Sequence, residues 1–318
     1  MIPGLLELET ITSKELEAIF HEADGFFEAA EGKVERKDLA GRTIANLFFE
    51  DSTRTANSFY LAGRRLGATV LDFTGAGSSL SKGETLLDTA KNICAMGVDL
   101  FVVRHVSPGA PHMIAQALGK PVVNAGDGSH EHPTQGLLDA YTLYREVGSV
   151  KKLKELTVAI VGDILHSRVA RSNIHALKAL GCRVILVGPP ALLPPHFAGL
   201  GCEIRHSLDE VLSEVDVLNF LRLQNERMQS GLVASLREYK YLYGMTAERL
   251  KKCRKNVFIM HPGPMNRGVE IDPEVADGPR SLIFKQVTCG MAVRMAVLTR
   301  LIGKAPSQTS KSSRKARE

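Results

Sequence analysis

Two patterns of hydrophobic and polar positions alternate along the chain. Short apolar runs rich in β-branched residues predict buried strands, and the stretches between them include segments whose apolar residues recur at helical spacing. Strands that alternate with helices predict a parallel sheet with helices on both faces. The sequence therefore predicts an α/β fold of two doubly wound parallel-sheet domains. The predicted strands are residues 44–49, 68–73, 100–103 and 122–124 in the first half, and 156–161, 183–187, 215–220 and 257–260 in the second.

Helices are expected to open the fold, to join its halves and to close it. Thr12 and Glu15 form a capping-box pattern, so we expect the fold to start with a helix. His132-Pro133 predicts the start of a helix that bridges the two halves, because proline is favoured in a first helical turn. We expect one domain over residues 1–135, completed by a C-terminal helix at 286–301, and a second domain over 136–285.

The composition indicates a soluble globular protein. The chain has 318 residues, of which 44% are hydrophobic and 24% charged, and it contains no apolar run long enough for a membrane span. The first ten residues carry no basic residue, so we expect no secretory signal, no membrane partner and a cytoplasmic location. Most of the net charge of +5 lies in residues 304–318, which predicts a disordered basic tail and argues against nucleic-acid binding.

The cysteines and glycines add two expectations. The five cysteines are scattered without a C-x-x-C pair, so neither a zinc site nor a disulfide framework is indicated. Residues 75–83 form a Gly/Ser loop that is too polar for a core and is the best candidate for a mobile segment.

The strongest chemical signal is Ser52-Thr53-Arg54-Thr55, which follows a predicted strand and opens a predicted helix. The first N–H groups of a helix are unpaired and its dipole is positive there, so hydroxyls and a guanidinium at this point suit a phosphate-like anion. Ordinary helix capping is the alternative, but capping accounts for only one hydroxyl.

Further polar residues follow other predicted strands. In doubly wound sheets ligands bind outside the carboxyl ends of the strands, where this sequence places cationic and imidazole side chains. His130 and His132 could form a metal pair, but no further ligand stands nearby at the right spacing, and no glycine-rich nucleotide motif follows the strand that ends at Val161. We therefore expect no metal and no cofactor. The residues at these strand ends are Arg104, His105, His132, Arg168, Arg222 and His261.

Three motifs together resemble the catalytic chains of aspartate carbamoyltransferases: residues 52–55 (S-T-R-T), 132–135 (H-P-T-Q) and the loop 78–85. Ornithine carbamoyltransferases share the first two motifs. The aspartate branch is indicated by Lys82, by Arg222-Leu223-Gln224 and by the H-P-G-P stretch at 261–264, whereas the H-C-L-P and S-M-G elements of the ornithine branch are absent. The resemblance extends from the first helix to about Leu301.

The resemblance implies transfer of the carbamoyl group of carbamoyl phosphate to the α-amine of L-aspartate, in pyrimidine synthesis. A carbamoyltransferase for another amino acid such as ornithine, or a non-catalytic scaffold subunit, is the alternative. The domain over residues 1–135 would bind carbamoyl phosphate, and the domain over 136–285 would bind aspartate.

The resemblance also implies roles for individual residues. Arg104, His132 and Thr55 would polarise the substrate carbonyl, and Glu50 would pair with Arg168 or Arg227 between the domains. Carbamoyl phosphate would be bound by Ser52, Thr53, Arg54, Thr55, Ser78, Arg104, His132 and Gln135, and aspartate by Lys82, Arg168, Arg222, Gln224, Gly263 and Pro264, with Arg54, Thr55, Lys82, Arg104 and His132 as the catalytic set.

A homotrimer with shared active sites is a further implication of the resemblance. Ser78 and Lys82 would reach into the site of the neighbouring subunit, and Ser78 is preferred to Ser79 because it stands four residues before Lys82. Association with regulatory chains or with a dihydroorotase is left open by the sequence.

Overall fold

The computed structural model describes residues 4–74, 85–223 and 235–303. The predicted mobile loop with Ser78, Ser79 and Lys82 lies outside these residues, as do Gln224, Arg227 and the basic tail at 304–318.

The first half is built on a parallel sheet of five strands. Its order is β1-β5-β4-β2-β3, and every pairing between neighbours is parallel. The register places the buried Ile44 beside the buried Leu100 and beside Val70 of the half-buried edge strand β3. The strands are β1 (Gly4–Leu5), β2 (Thr43–Phe48), β3 (Thr69–Thr74), β4 (Leu100–His105) and β5 (Val122–Asp127).

Five helices belong to the first half. α1 begins with the predicted capping box, since the Thr12 hydroxyl accepts from the Glu15 N–H and the Glu15 carboxylate accepts from the Thr12 N–H. α3 ends one residue before Leu66, and Gly67 then adopts φ +81°, a left-handed conformation that stops a helix and favours glycine. The helices are α1 (Ser13–Asp24), α2 (Phe27–Ala30), α3 (Thr53–Arg65), α4 (Leu86–Ala95) and α5 (Ala110–Leu118).

The second half repeats this architecture with a parallel sheet ordered β10-β9-β6-β7-β8. Its central strand β6 is buried along its whole length, as expected for a strand covered on both faces. The strands are β6 (Thr157–Val161), β7 (Arg183–Val187), β8 (Glu203–Arg205), β9 (Val217–Phe220) and β10 (Phe258–Met260), and the helices are α7 (Val150–Leu153), α8 (Arg168–Ala179), α9 (Leu236–Tyr243), α10 (Ala247–Lys252) and α11 (Pro273–Ala276).

Two long helices connect the halves. α6 (Pro133–Val147) packs against α8 of the second half and against α12 (Ile283–Ile302). α12 follows the second half in sequence but packs on α1, α2 and α3 of the first half. Both are lined by buried residues, and they contribute to one hydrophobic core that also includes strands β2 and β6. The helices therefore fix the position of one half against the other.

The predicted fold class is confirmed, and the predicted strands are present with shifts of one to three residues at several ends. The expectation that the fold starts with a helix is wrong, because β1 precedes α1 and pairs with β5. Two residues are too few to show a pattern, so pairing alone defines this strand. β8 was also missed, since its half-buried Glu-Ile-Arg sequence has no apolar run. The domain boundaries at 135 and 285 stay predictions.

No helix in the described part of the chain is both long enough and apolar enough to cross a membrane. All five cysteines are free thiols, and Cys182, Cys202 and Cys289 are buried. Burial raises the pKa of the Cys182 thiol to about 12 and that of Cys202 to about 11, so both stay protonated at neutral pH.

Candidate active site

The Ser52–Thr55 motif lies where the sequence predicted it, on the turn between β2 and α3. Ser52 is the N-cap residue, yet its side chain makes no capping hydrogen bond. Other helices of the molecule do use their N-cap hydroxyl in this way, for example Thr12, Thr85 and Ser167. Capping therefore does not explain Ser52. The start of α3 combines a hydroxyl group that is not used for capping with the positive end of a helix dipole.

Arg54 extends from α3 to the loop after β10 in the second half. Gly263 has φ +63°, a conformation that favours glycine, and a Cβ atom added there would clash with the Arg54 guanidinium. Burial and the nearby charge of Arg222 lower the pKa of Arg54. No carboxylate in the described ranges pairs with Arg54. Two guanidinium groups from different halves thus lie together.

Glu50 joins a second pair of arginines. Its carboxylate accepts from Arg168 Nη1 and Nη2 at 2.8 and 2.6 Å and from Arg104 Nη2 at 3.1 Å. A Cβ atom at Gly126 would lie 3.0 Å from Arg168 Nε and 3.1 Å from Arg104 Nη1, so both side chains pack closely against this glycine, whose φ of +118° other residues rarely adopt. The predicted pairing of Glu50 with Arg168 is present, and Arg104 shares it.

His132 is buried beside these arginines. Its backbone N–H donates to Ser172 Oγ at 2.9 Å, and the Ser172 hydroxyl donates to Glu131 Oε2 at 2.7 Å. Burial, with the positive charges of Arg104, Arg294 and Arg168, holds the pKa of His132 well below its usual value. The imidazole is therefore neutral and can donate one N–H without becoming a cation.

His261 occupies a similar position in the second half, directly after β10. Its Nδ1 accepts from the Gly263 N–H at 2.8 Å, and burial together with Arg54 and Arg222 lowers its pKa to about 3. The imidazole is consequently neutral, and its 3.8 Å approach to Glu270 Oε2 is not an ion pair. Glu270 instead accepts from the N–H groups of Leu223 and Asn266, which braces the loops next to Arg222 and Gly263.

The structure brings together most of the predicted site residues that it describes. His130, which was considered as a metal ligand, instead bonds to Asp127 through Nδ1. No group of three or more His, Cys, Asp or Glu side chains within residues 4–74, 85–223 and 235–303 is arranged to hold a metal ion.

Several residues of the site were missed by sequence reasoning. Arg294 is fully buried on α12, lies over the Phe59 ring and donates to Ser58 Oγ, and burial lowers its pKa to about 10. The single arginine in the apolar stretch 289–298 could have indicated a site residue, because an arginine is rarely buried unless it has a partner. Glu131 and Ser172 gave no comparable signal, since their contact joins residues 41 positions apart.

The arrangement suits a substrate with several negative charges. Four arginines form two pairs, Arg54 with Arg222 and Arg104 with Arg168. The charge of a fifth, Arg294, acts on both Arg54 and His132. Neutral imidazole donors accompany the guanidinium groups. Such a site can hold anions and stabilise a developing oxyanion by preorganised electrostatics.

Two family models cover the chain. Residues 4–145 match the carbamoyl-P binding domain of the aspartate/ornithine carbamoyltransferases, and residues 154–301 match their Asp/Orn binding domain.

The similar proteins described below are all named aspartate carbamoyltransferases or aspartate transcarbamoylases. The chain is 54% identical over 301 residues to the aspartate carbamoyltransferase catalytic subunit of Granulibacter bethesdensis, covering 94% of each chain, and 53% identical to that of Syntrophobacter fumaroxidans, covering 92% of this chain and 96% of the relative. Among solved structures, it is similar to the aspartate transcarbamoylase of Trypanosoma cruzi in complex with carbamoyl phosphate and aspartate. That match has a TM-score of 0.83 and 34% identity, and it covers 95% of this chain and 97% of the other.

Proposed function

The chain belongs to the aspartate/ornithine carbamoyltransferase family, and we infer that it is an aspartate carbamoyltransferase. It transfers the carbamoyl group of carbamoyl phosphate to the α-amine of L-aspartate, which gives N-carbamoyl-L-aspartate and phosphate. The names of its relatives support this acceptor over ornithine. The reaction places the enzyme in pyrimidine biosynthesis, and a cytoplasmic location is part of the proposal.

The single observation that carries the proposal is the meeting of arginines from both halves of the chain in one site. Arg54 and Arg104 come from the first half and Arg168 and Arg222 from the second, and Glu50 is the carboxylate that bonds to two of them. One phosphate and two carboxylates are the anions that such a set would neutralise. An acceptor without a side-chain carboxylate would not need the second pair.

We assign the phosphate of carbamoyl phosphate to the start of α3, where Ser52, Thr53, Arg54 and Thr55 stand at a positive helix end. Arg104 and His132 would then bind the carbonyl oxygen, and Gln135 the amino group. In the second half Arg168 and Arg222 would bind the carboxylates of aspartate. Gln224 would join them there, with backbone carbonyl groups of Gly263 and Pro264 accepting from the amines.

The chemistry follows from these assignments. The deprotonated α-amine of aspartate attacks the carbonyl carbon, so the new C–N bond forms as the carbonyl oxygen gains negative charge. Arg104 and the neutral His132 stabilise that oxyanion by hydrogen bonds. The C–O bond to phosphate then breaks, and the leaving phosphate accepts the proton of the amine, so the mechanism requires no covalent enzyme intermediate.

A product assay tests the function. The purified chain should convert carbamoyl phosphate and L-aspartate into carbamoyl aspartate and phosphate in buffer containing a chelator. Replacement of aspartate by ornithine is the matched control. Equal or faster turnover with ornithine would overturn the assignment of the acceptor.

We further propose a homotrimer in which Ser78 and Lys82 of one subunit act in the site of the next. Lys82→Ala and His132→Ala chains should each be nearly inactive, whereas mixed trimers should recover activity at interfaces that unite an intact Lys82 with an intact His132. In a closed ring of three with either two-to-one composition, one interface can do so, which sets a ceiling of about one third of wild-type activity. Mixed trimers of confirmed mass that stay inactive would refute the shared site.

A further inference from the structure

A buried carboxylate that the mechanism does not use lies beneath the candidate site. Asp139 is on α6, four residues after Gln135, and only 1% of its surface is exposed. Residues four apart on a helix lie on the same face, so Asp139 is placed directly behind Gln135.

The hydrogen-bond partners of this carboxylate are side-chain amides. Oδ1 accepts from Gln135 Nε2 at 2.8 Å and from Gln286 Nε2 at 2.7 Å, and Oδ2 accepts from Asn173 Nδ2 at 2.8 Å. Gln135, Gln286 and Asn173 come from three different helices, α6, α12 and α8, and a fourth amide partner, Asn219, comes from β9. An ionised carboxylate can only accept hydrogen bonds, so each amide must turn its NH2 group toward Asp139.

Because the NH2 group of each glutamine faces Asp139, the carbonyl oxygen of each glutamine must face away from Asp139. The Gln286 carbonyl oxygen accepts from the His261 backbone N–H at 3.0 Å, which anchors the strand end that leads to Gly263. The Gln135 carbonyl oxygen is likewise turned away from Asp139. Gln135 thus presents a hydrogen-bond acceptor on its far side, although a glutamine without Asp139 could present either an acceptor or a donor.

We propose that Asp139 is a positioning residue that makes the enzyme select an acyl phosphate bearing an amino group, because it fixes Gln135 as an acceptor for that group. The proposal rests on the proposed function, which places Gln135 next to the amino group of carbamoyl phosphate. An acyl phosphate with a methyl group in that place, acetyl phosphate, cannot donate to Gln135. Asp139 therefore acts on specificity through a second residue.

The surroundings of Asp139 keep it able to accept. Burial raises its pKa to about 6, while the hydrogen bonds from Asn173, Gln286, Gln135 and Asn219 oppose that rise. The positive charge of Arg294 lies close enough to interact with it electrostatically. At neutral pH the carboxylate is predominantly ionised and functions only as an acceptor.

Asp139→Asn tests the proposal with an almost isosteric change. The new NH2 group must face either the two glutamine amides or Asn173, and Asn173 cannot simply turn over because its Nδ2 also donates to the Val169 carbonyl oxygen at 3.1 Å. Gln135 should then lose its fixed orientation. We expect the Kd for carbamoyl phosphate, measured by calorimetry without aspartate, to rise about tenfold while the Kd for acetyl phosphate changes less than about threefold.

Two variants separate orientation from stability. Asn173→Ala removes a bond to Oδ2 and leaves Oδ1 with both glutamines, so it should lower the Tm without changing the ratio of the two Kd values. In the exchange variant, Asp139→Asn is combined with Asn173→Asp. The carboxylate introduced at position 173 then accepts from the new NH2 group, and the amide oxygen introduced at position 139 again faces the glutamines. Discrimination should therefore return in the exchange variant, which also carries the test if Asp139→Asn does not fold.

The outcomes distinguish the two proposals. If Gln135→Ala fails to reduce discrimination between the two acyl phosphates, the assigned role of Gln135 is wrong. If Gln135→Ala reduces discrimination but folded Asp139→Asn weakens both ligands equally or neither, Asp139 has only a structural role and the inference is overturned. A folded exchange variant without discrimination would overturn it as well.

Discussion

α3 follows strand β2 in the first half and α8 follows strand β6 in the second, and each helix start carries a serine and an arginine. In α3 the Ser52 side chain makes no capping bond and no described carboxylate pairs with Arg54. In α8 the Ser167 hydroxyl accepts from the Ala170 N–H at 3.1 Å, and Arg168 donates twice to Glu50. Among the described residues, a serine and an arginine at a helix start thus have hydrogen-bond partners in α8 that they do not have in α3.

The difference agrees with the proposal that one architecture binds two kinds of anion. The start of α3 keeps its positive helix end and its guanidinium available for a phosphate, which takes several hydrogen bonds from a compact socket. At the start of α8 the Ser167 hydroxyl is used to cap the helix, and Glu50 holds the Arg168 side chain in place. A planar guanidinium held in this way matches a carboxylate.

The largest expected effect is a loss of kcat on replacement of Arg54, and it should distinguish Arg54 from Arg168. Arg54→Ala should reduce kcat by a factor corresponding to about 3 kcal/mol, because its contact with the leaving phosphate strengthens as negative charge develops. Its unfolding free energy should change little, since the substitution relieves the proximity of Arg54 to Arg222. Steady-state kinetics and urea unfolding measure the two quantities.

Arg168→Ala is the matched control for Arg54→Ala. It removes the two hydrogen bonds from Arg168 to Glu50, so we expect a loss of roughly 2 kcal/mol in unfolding free energy, less than for a fully buried pair, and a higher KM for aspartate. Equal stability losses in both variants would show that the two helix starts do not differ as the structure indicates.

The sequence predicted the sheets well because their strands are continuous apolar runs, and it predicted the start of α3 because three hydroxyls and an arginine exceed what capping requires. It could not predict which serine caps. Ser52 and Ser167 are equally good N-cap residues by composition, and only their conformations distinguish them.

Other parts of the site depend on contacts between distant positions. Glu50 was assigned two possible partners from the family resemblance, and only the folded structure brings it to Arg168 and also to Arg104. Asp139 received no role from sequence, because its amide partners Asn173 and Gln286 are 34 and 147 positions away. Long-range networks of this kind leave no local pattern.

The pH dependence of stability should show that burial and the nearby arginines keep the His261 imidazole neutral. The pKa of His261 is about 3 in the folded protein, below its usual 6.5, so the folded state resists protonation. Stability from this group is fully present above pH 6.5 and is lost as the pH falls toward 3. At pH 5 the loss is about 2 kcal/mol, since each pKa unit corresponds to about 1.4 kcal/mol.

The contribution of His261 can be isolated by difference. Asp139 acts in the opposite direction, because its pKa is raised to about 6 and its protonation favours the folded state below that pH. Urea unfolding of wild type and His261→Gln at pH 7.5 and pH 5 removes this background. The wild type should lose about 2 kcal/mol more than the variant, and parallel losses would mean that His261 is not shielded from protons as described.

The smallest effects should come from the two serines, and they test the comparison most directly. Ser167→Ala removes the cap of α8 and should cost about 1 kcal/mol of unfolding free energy, while the Kd for carbamoyl phosphate stays within about twofold. Ser52→Ala removes a hydroxyl that caps nothing, so its stability should remain within about 0.5 kcal/mol of wild type. Its Kd for carbamoyl phosphate should rise about tenfold, because a hydrogen bond to a charged group is worth about 1.5 kcal/mol. Thermal unfolding and calorimetry on both variants suffice. A stability loss in Ser52→Ala with unchanged binding would mean that Ser52 is an ordinary cap and that the two helix starts are alike.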